Sequence, residues 1–390
     1  MTAPREKTLP SQKPRFNRRQ VLRGTAALVA GALTPVWAQP GKAGNTSRSL
    51  LVAQVVDSSL SQLDVSRDFV IGSRAAWQDI NLRGGLRGNL VQHVTLETDG
   101  TATSLRDALK RVKDDPACLV LSGSVGDKIA RMVATQLKQD DLDIAHVAPW
   151  LQNSNFAIDE QTFPIFAGRE QQIGHALKTL SVVGLKELGA VYASEQDYAD
   201  YHEAVDRIGT SMGLKLRSLR GTGDLNALGQ QLTSATPAVL LFLGGTPELA
   251  QFTRGLEKQA RQRFVLALSD VNLQVLLQLG GAKNIPIIAT QPVPLVNSSL
   301  PVVRAYRETL TRLFDEPPVP LSLAGFIAAR YTYQVLQTID GALTRQNALD
   351  AFQRRSDTDV GGFRISYDKQ RRSTSYVTQS MTTADGRLVG

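Results

Sequence analysis

The stretch Cys118–Asn153, CLVLSGSVGDKIARMVATQLKQDDLDIAHVAPWLQN, decides the fold class. Its apolar run Cys118–Leu121 ends in the small-residue loop Ser122–Gly126, and a second apolar run, Ile144–Val147, follows a helical segment. Buried strands of a parallel sheet have this pattern, and the helix between them is a crossover. Both strands then end at one edge of the sheet, where open α/β folds bind ligands. We therefore expect two ligand loops side by side, the second formed by Ala148–Gln152.

The same alternation of elements continues along the chain. From Leu50 to Thr290, short apolar runs alternate with amphipathic segments of about ten to fifteen residues, a pattern typical of βαβ units and parallel sheets. These elements exceed one comfortable sheet, so the pattern predicts two lobes. Pro292 and Pro294 interrupt it and predict a crossing between the lobes. Two predicted helices follow, over Leu300–Phe314 and Leu321–Leu343.

The first residues have the order of an export signal. Arg18 and Arg19 precede the mildly apolar stretch Gly24–Trp37. This order is typical of a twin-arginine signal, and we expect residues 1–38 to be removed by a cut near Ala38. The pattern predicts a periplasmic protein that the twin-arginine translocase exports.

The predicted export signal also holds most of the excess charge. The chain has 44 basic and 36 acidic residues, of which residues 1–38 contain seven and one. The remaining chain therefore carries a net charge of +2 rather than +8, so a nucleic-acid partner loses its main support. No other stretch approaches the roughly 20 continuous apolar residues that span a bilayer. We expect a soluble monomer without nucleic acid.

Residue types that usually carry catalysis or bind metals are scattered in this chain. Cys118 is the only cysteine, which excludes an internal disulfide. No GxSxG nucleophile elbow is present. None of the four histidines has a metal-ligand spacing: His93, His146, His175 and His202. We therefore expect a protein that is not an enzyme and that needs no cofactor and no metal.

Several segments together carry a resemblance to one family. They occur in a fixed order over nearly the whole mature chain: Phe69–Gly88, Gly184–Tyr192, Ser299–Val303, Ser322–Arg330, Leu343–Arg345 and Gly361–Phe363. The first resembles the amino-proximal signature of periplasmic binding proteins of the leucine/isoleucine/valine type. These proteins are the solute receptors of ABC importers. No single segment is specific for this family, but the whole set in this order is hard to obtain by chance.

The resemblance implies the type I periplasmic binding protein fold. This is an α/β fold of two doubly wound parallel-sheet lobes joined by a three-crossing hinge. Lobe one would comprise residues 48–166 and 292–362, and lobe two residues 167–291 and 363–390. Such receptors close on a ligand and present the closed form to an importer permease at the inner membrane. The implied ligand is an amino acid or a related small polar carboxylate or amide in the interlobe cleft.

In the first lobe-one loop, the resemblance carries ligand roles to Ser122, Gly123 and Ser124. The family offers hydroxyls and backbone N–H groups to a ligand carboxylate there, and a helix N-terminus behind the loop adds partial positive charge. The alternative is that these residues only shape a tight turn between strand and helix.

The second lobe-one loop departs from the family pattern. Amino-acid receptors have small residues and then a threonine after the proline, whereas Pro149 is followed by Trp150, Leu151 and Gln152. The indole could stack on a ligand or pack in the core. The bulk of Trp150 speaks against a plain copy of the amino-acid site.

In lobe two, the resemblance carries ligand roles to Tyr198 and Thr246 and to the loop after the strand that ends near residue 268. Amino-acid receptors bind the ligand ammonium there with an acid, and the register leaves either Ser269 or Asp270 at that position. Asp270 would favour a zwitterion, whereas Ser269 would indicate a ligand without an amine. Tyr198 could instead be a core residue, and Asp270 could cap the helix over Leu273–Leu279.

The same fold also serves ligand sensing, in which the liganded protein signals to a membrane receptor. The sequence leaves import and sensing open. Neighbouring permease and ATPase genes would favour import, and a lone sensor kinase gene would favour sensing.

Overall fold

The computed structural model describes residues 50–182, 184–221, 223–282, 284–373, 376–382 and 388–389. The predicted export signal, residues 1–38, lies outside the described residues. Within the described ranges, no helix has the length and apolar character needed to cross a membrane.

From the start of the described chain to the tenth strand, strands and helices alternate as the sequence pattern predicts, except that no helix separates β4 from β5. The strands are β1 (Leu50–Asp57), β2 (Val91–Thr98), β3 (Cys118–Ser122), β4 (Ala145–Val147), β5 (Thr162–Phe163), β6 (Glu187–Tyr192), β7 (Lys215–Arg220), β8 (Val239–Leu243), β9 (Phe264–Ala267), β10 (Ile287–Gln291), β11 (Thr358–Val360), β12 (Phe363–Ile365), β13 (Thr378–Thr382) and β14 (Leu388–Val389). The helices are α1 (Leu63–Leu82), α2 (Ala102–Asp114), α3 (Asp127–Gln139), α4 (Arg169–Val182), α5 (Glu195–Ser211), α6 (Leu225–Gln230), α7 (Thr246–Leu256), α8 (Leu273–Gln278), α9 (Pro301–Leu313), α10 (Pro320–Gln337) and α11 (Arg345–Gln353).

Lobe one is built on a parallel sheet with the strand order β2-β1-β3-β4-β5. Successive residues of a strand point to opposite faces, so a strand covered on both sides is apolar throughout. Strand β1 shows this: Val52 lies in a core with α1 and α10, and Val55 lies in a second core with α2 and α3. The opening stretch therefore forms the predicted strand–helix–strand unit β3-α3-β4 in the middle of this sheet.

Lobe two is built on a sheet with the order β14-β13-β10-β9-β8-β6-β7. Strands β6 to β10 are mutually parallel, but β13 runs antiparallel to β10 and β14 antiparallel to β13. The sheet is therefore parallel, as predicted, with an antiparallel edge formed by the last two strands. The chain reaches β13 from a lobe crossing instead of a helical crossover, and an antiparallel edge on a parallel sheet is common.

The chain passes between the lobes after β5, after β10 and after β12, which confirms the predicted two-lobed fold with three crossings. The exact lobe boundaries remain a prediction. Phe363 and Ile365 of β12 pack in the core of lobe one. This packing favours a third crossing beyond residue 365, later than the boundary that we predicted at residue 363.

Helix α1 begins at Leu63, although the sequence pattern predicts it only from Phe69. Its first turn mixes Leu63 and the buried Val65 with Asp64 and Ser66, so the apolar periodicity that marks the rest of the helix starts later. Further along, α1 crosses α10 at two glycines. A Cβ atom on Gly72 would lie 1.7 Å from the carbonyl oxygen of Ser322, and one on Gly325 would lie 1.9 Å from the carbonyl oxygen of Phe69. The two backbones are therefore in direct contact.

A buried carboxylate joins α1 to the two helices that pack beside it. Asp79 is fully buried and forms ion pairs with Arg83, Arg312 and Arg330. The Nε atom of Arg83 lies 2.9 Å from Asp79 Oδ2. Three cations around one carboxylate compensate its loss of hydration.

The variant Asp79→Ala should lower the free energy of unfolding by about 3 kcal/mol, because it leaves the largely buried Arg330 without a partner. Urea denaturation at pH 7 measures this change. Asp114→Ala is the control, since Asp114 pairs with Lys110 at an exposed site and should contribute about 0.3–0.5 kcal/mol. Equal effects of the two variants would contradict a structural role for the Asp79 cluster.

The contribution of Asp79 should also depend on pH. Burial raises its pKa, but Arg312, Arg83 and Arg330 outweigh burial and leave the pKa below the ordinary value of 3.8. A lowered pKa in the folded state stabilises the protein above the unfolded-state pKa, and this stabilisation is lost as the pH falls through the folded-state value. The difference between wild type and Asp79→Ala should therefore be constant from pH 7 to about 5 and shrink below about 4. Urea titrations across this range measure it.

Candidate ligand site

The two loops that follow β3 and β4 lie side by side, as predicted. The backbone N–H of Trp150 donates to the carbonyl oxygen of Ser124 at 2.7 Å, and that of Gly123 donates to Val147 at 2.8 Å. These loops form the lobe-one side of the region between the two sheets.

Only one of the three predicted residues in the first loop keeps a free polar group. The hydroxyl of Ser122 lies 2.7 Å from that of Thr332 on α10, so Ser122 faces the core of lobe one. Gly123 has φ +68°, and a Cβ atom there would lie 2.9 Å from the ring of Phe69. These two residues shape the turn, which is the alternative that the sequence left open. Ser124 is fully buried, and its hydroxyl has no partner among the described residues.

The second loop places a buried indole beside two phenylalanines. Trp150 is 1% exposed. Its ring packs edge-on against Phe69, with 5.7 Å between centroids, and at a tilt against Phe166, with 5.3 Å between centroids. Its Nε1–H has no hydrogen-bond partner in the described chain. Leu151 is fully buried. Trp150 therefore packs in the lobe-one core and keeps an unused donor.

Gln152 connects this loop to lobe two through a buried network of side chains. Its Oε1 accepts from Ser269 Oγ at 3.1 Å and from Gln172 Nε2 at 2.5 Å. Gln172 Oε1 in turn accepts from the Ser269 backbone N–H at 3.1 Å and from Thr290 Oγ1 at 3.0 Å. The hydroxyl of Ser269 is thus engaged by lobe one. The Nε2 atom of Gln152 has no partner among the described residues.

Two neighbouring backbone N–H groups of the second loop converge on a carboxylate of the protein itself. Those of Gln152 and Asn153 both donate to Asp127 Oδ1 at 2.7 Å. Asp127 is the first residue of α3, where the helix dipole favours negative charge. Its other carboxylate oxygen pairs with Arg131 at 3.2 Å. Asp127 therefore occupies a position that would suit a ligand carboxylate.

Asp270 is paired with a second group of the protein. Its Oδ2 accepts from Arg169 Nε at 2.9 Å, and both side chains are largely buried. The guanidinium also lies over the ring of Tyr201, 4.3 Å from its centroid. Burial lowers the pKa of Arg169, but Asp270 and Tyr201 outweigh it and raise the pKa above its ordinary value. Asp270 does not cap α8, because the side chain of Asn272 accepts from the first backbone N–H groups of that helix.

Tyr198 is held on both faces by other side chains. The guanidinium carbon of Arg220 lies 3.5 Å from the centroid of the Tyr198 ring, and the ring of His202 stacks on it at 4.3 Å. The rings of Tyr192 and Tyr198 pack edge to face, with 5.1 Å between their centroids. A ligand could reach only the rim of Tyr198 in this arrangement.

Thr246 joins the lobes to one another. Its hydroxyl donates to Asp64 Oδ2 at 2.7 Å and accepts from the backbone N–H of Asn272 at 2.9 Å. Asn272 Nδ2 also donates to Asp68 Oδ2 at 2.5 Å. Burial raises the pKa of Asp68 and prevails over the ion pair with Arg67. The first two turns of α1 thus provide the lobe-one half of a second connection to lobe two.

A cavity of about 250 Å³ adjoins these loops at the crossing that follows β10. Its lining comes from lobe one, from lobe two and from the crossing, and includes Trp150, Ser269, Val271, Gln291, Val293 and Leu321. The structure therefore brings two of the predicted ligand residues, Trp150 and Ser269, to the wall of one cavity.

Sequence reasoning missed several residues that organise this region. Asp127 follows directly on the predicted loop, and its place at a helix N-terminus was the available signal. Arg169 and Gln172 lie in the first turn of the helix after the first crossing, and Asp64 and Asp68 lie in the first two turns of α1. Their partners are distant along the chain, so local patterns do not reveal the pairs.

Comparison with known proteins identifies one family for this chain. The family model described as periplasmic binding protein matches residues 52–386. Similar solved structures include an extracellular ligand-binding receptor from Verminephrobacter eiseniae, at 17% identity and a TM-score of 0.79, covering 88% of this chain and 100% of that chain. A possible leucine/isoleucine/valine-binding protein from Rhodopirellula baltica is 19% identical, with a TM-score of 0.77 and coverage of 90% and 98%.

A fatty acid ABC transporter substrate-binding protein from Thermomonospora curvata is also similar, at 14% identity and a TM-score of 0.73, covering 87% of this chain and 90% of that chain. No curated protein matched this chain. At these identities, the likeness to solved structures shows the fold alone.

The variant Asp270→Asn should lower the free energy of unfolding by about 3 kcal/mol, because it leaves Arg169 as a buried charge without a partner. The double variant Arg169→Gln/Asp270→Asn should recover most of this loss, since neither charge then remains. Urea denaturation of the four proteins in this cycle measures the coupling. A neutral effect of Asp270→Asn on stability would show that the pair is not structural.

Proposed function

Because this chain belongs to the family of periplasmic binding proteins, we propose that it is the solute receptor of an ABC importer and binds its ligand between the two lobes. One observation carries the proposal: the cavity at the second crossing is lined by both lobes and by the chain that joins them. A ligand there contacts both bodies at once. The family consists of binding proteins rather than enzymes, which agrees with the scattered histidines and the single cysteine of this sequence.

Hinge closure is part of the proposal, and the hydrogen bonds between the lobes support it. Thr246 binds Asp64, Asn272 binds Asp68, and Ser269 binds Gln152. In a separated form these groups would be hydrated, so each bond contributes only about 0.5–1.5 kcal/mol to the joined form. A few such bonds leave the equilibrium between the separated and the joined form close to balance. A ligand that contacts both lobes can then shift it towards the closed form.

The nature of the ligand is a finer part of the proposal. An amino acid or a related small carboxylate or amide remains a prediction of the family resemblance. The similar structures are described as binding leucine/isoleucine/valine in one case and as belonging to a fatty acid transporter in another. The same fold therefore accepts polar and apolar ligands, and the side chains of this chain must decide between them.

The remaining parts of the proposal concern the partners and the location of the protein. The permease of an ABC importer at the inner membrane would receive the closed receptor. The twin-arginine translocase would export the precursor, and the mature receptor would act as a periplasmic monomer.

A ligand screen tests the receptor function. Residues 39–390 are mixed with a panel of amino acids, carboxylates, amides and neutral aromatic compounds, and thermal unfolding and small-angle scattering are recorded. A ligand at 100 times its dissociation constant should stabilise the protein by about 2.7 kcal/mol and lower the radius of gyration. A panel in which no compound produces both changes would contradict the proposal. Loss of uptake of the same compound in a deletion strain would separate import from sensing.

The contact between Thr246 and Asp64 should contribute to ligand affinity. Thr246→Val removes the hydroxyl that joins the lobes and should weaken binding of any panel hit by about fivefold, equivalent to one hydrogen bond. Thr179→Val is the matched control, because the Thr179 hydroxyl donates only within its own helix, to His175. Equal affinities of the two variants, measured by titration calorimetry, would remove this contact from the closure mechanism.

A further inference from the structure

We propose that closure of the two lobes takes up protons at the contact around Thr246, so that the receptor closes more readily at pH 5 than at pH 7.5. This inference rests on the proposed receptor function and concerns how its closure is regulated. It follows from the carboxylates that the two lobes bring together at this contact and from the neutral donors that bind them there.

Lobe one contributes two carboxylates to this contact, and neutral groups of lobe two bind both of them. Asp64 Oδ2 accepts from the hydroxyl of Thr246 at 2.7 Å, and Asp68 Oδ2 accepts from Nδ2 of Asn272 at 2.5 Å. The other oxygen of Asp64 is buried and has no partner among the described residues. Closure therefore removes water from two negative charges, and the donors that replace this water carry no positive charge.

Lobe two brings further carboxylates to the same contact. A Cβ atom on Gly245 would lie 2.9 Å from Glu248 Oε2 and 3.6 Å from the carbonyl oxygen of Ser61 in lobe one, so Glu248 lies close to lobe one. Its Oε2 atom is buried and has no partner in the described chain. The negative charges of Asp197 and Asp64 both act on Glu248. Carboxylates of the two lobes thus face each other, and like charges repel. We call four of these residues the acidic contact: Asp64, Asp68, Asp197 and Glu248.

The environment of the acidic contact changes the pKa of three of its members in the same direction. Burial raises the pKa of Asp68 above its ordinary value of 3.8 and prevails over Arg67, whose side chain is 62% exposed. Burial and the neighbouring carboxylates raise the pKa of Glu248 above 4.5. Burial also raises the pKa of Asp197, although Arg169 opposes it. A group with a higher pKa in the closed form holds more protons there, so closure becomes easier as the pH falls towards the ordinary values.

The charged groups on the other side of the lobe contact act differently. Arg131 of lobe one lies 3.9 Å from Asp200 of lobe two, and within lobe two Arg169 binds Asp270. Asp200 and Asp270 are also the acids that face Asp197 from its own lobe. The pair of Arg131 and Asp200 joins the lobes through opposite charges and takes up no proton when it forms. This pair therefore favours closure without the pH dependence that we assign to the acidic contact.

Energy transfer between two dyes tests the proposal without any ligand. Residues 39–390 carry the dyes on cysteines introduced by Lys138→Cys in lobe one and Lys258→Cys in lobe two, both at exposed positions, and the native Cys118 is buried. The ratio of closed to open molecules should rise about fivefold from pH 7.5 to pH 5, because each carboxylate with a raised pKa favours closure as it gains a proton. A ratio that stays constant or falls over this range would overturn the inference.

Neutral variants of nearly the same shape assign the effect to the acidic contact. The double variant Asp68→Asn/Glu248→Gln should close at pH 7.5 about as readily as the wild type does at pH 5, and its ratio should change less than about twofold with pH. Asp200→Asn is the control. It loses the ion pair with Arg131, so it should close less at both pH values but keep the fivefold dependence. Circular dichroism establishes that the variants are folded. Equal pH dependence of the wild type and the double variant would overturn the assignment.

These outcomes separate the inference from the receptor function. A ratio that does not depend on pH, together with a compound that the ligand screen identifies, would remove proton uptake and leave the receptor function intact. A fivefold response to pH without any ligand from the screen would support proton-linked closure and contradict the receptor function.

Discussion

Helices cover both faces of the central strands of each sheet, and this constraint places the polar groups that join the two lobes at the ends of the strands. Strand β3 is buried at every residue, and β8 and β9 are buried at all but their first. Along these three strands, polar side chains therefore gather mainly where the strands stop. Two such groups, around Gln152 and around Thr246, join one lobe to the other.

The elements of the fold were predictable because they depend on local pattern. The strand at Cys118–Leu121 and the helix after it were predicted correctly, because a strand that is buried on both faces needs continuous apolar residues. The local pattern did not predict features that depend on something other than apolar periodicity. Helix α1 starts at Leu63, where apolar residues such as Val65 alternate with polar ones and show no helical periodicity. The antiparallel direction of β13 depends on how the chain returns from lobe one, which no local pattern records.

The candidate site was predictable in its position but not in its contacts. The loops at Ser122–Ser124 and Trp150–Gln152 lie together because parallel strands end at one edge. Which side chains face the space between the lobes depends on partners far along the chain. Ser122 turns towards Thr332, and Asp270 meets Arg169, and neither pairing leaves a mark in the spacing of residues. The family resemblance points to positions in these loops, but it does not record which groups of this chain bind the side chains there.

The contact between α1 and α10 has a mechanical consequence. Since Gly72 and Gly325 bring the two backbones together, neither helix can slide along the other without a steric clash. Helix α1 then moves as a rigid element. Asp79 fixes it to the neighbouring helices of lobe one, and Asp64, near its other end, contacts lobe two. Any rotation of lobe two that pulls on this end moves α10 as part of the same solid body. A change in the cleft would thus alter the orientation of the outer surface of lobe one, and would leave the shape of that surface unchanged.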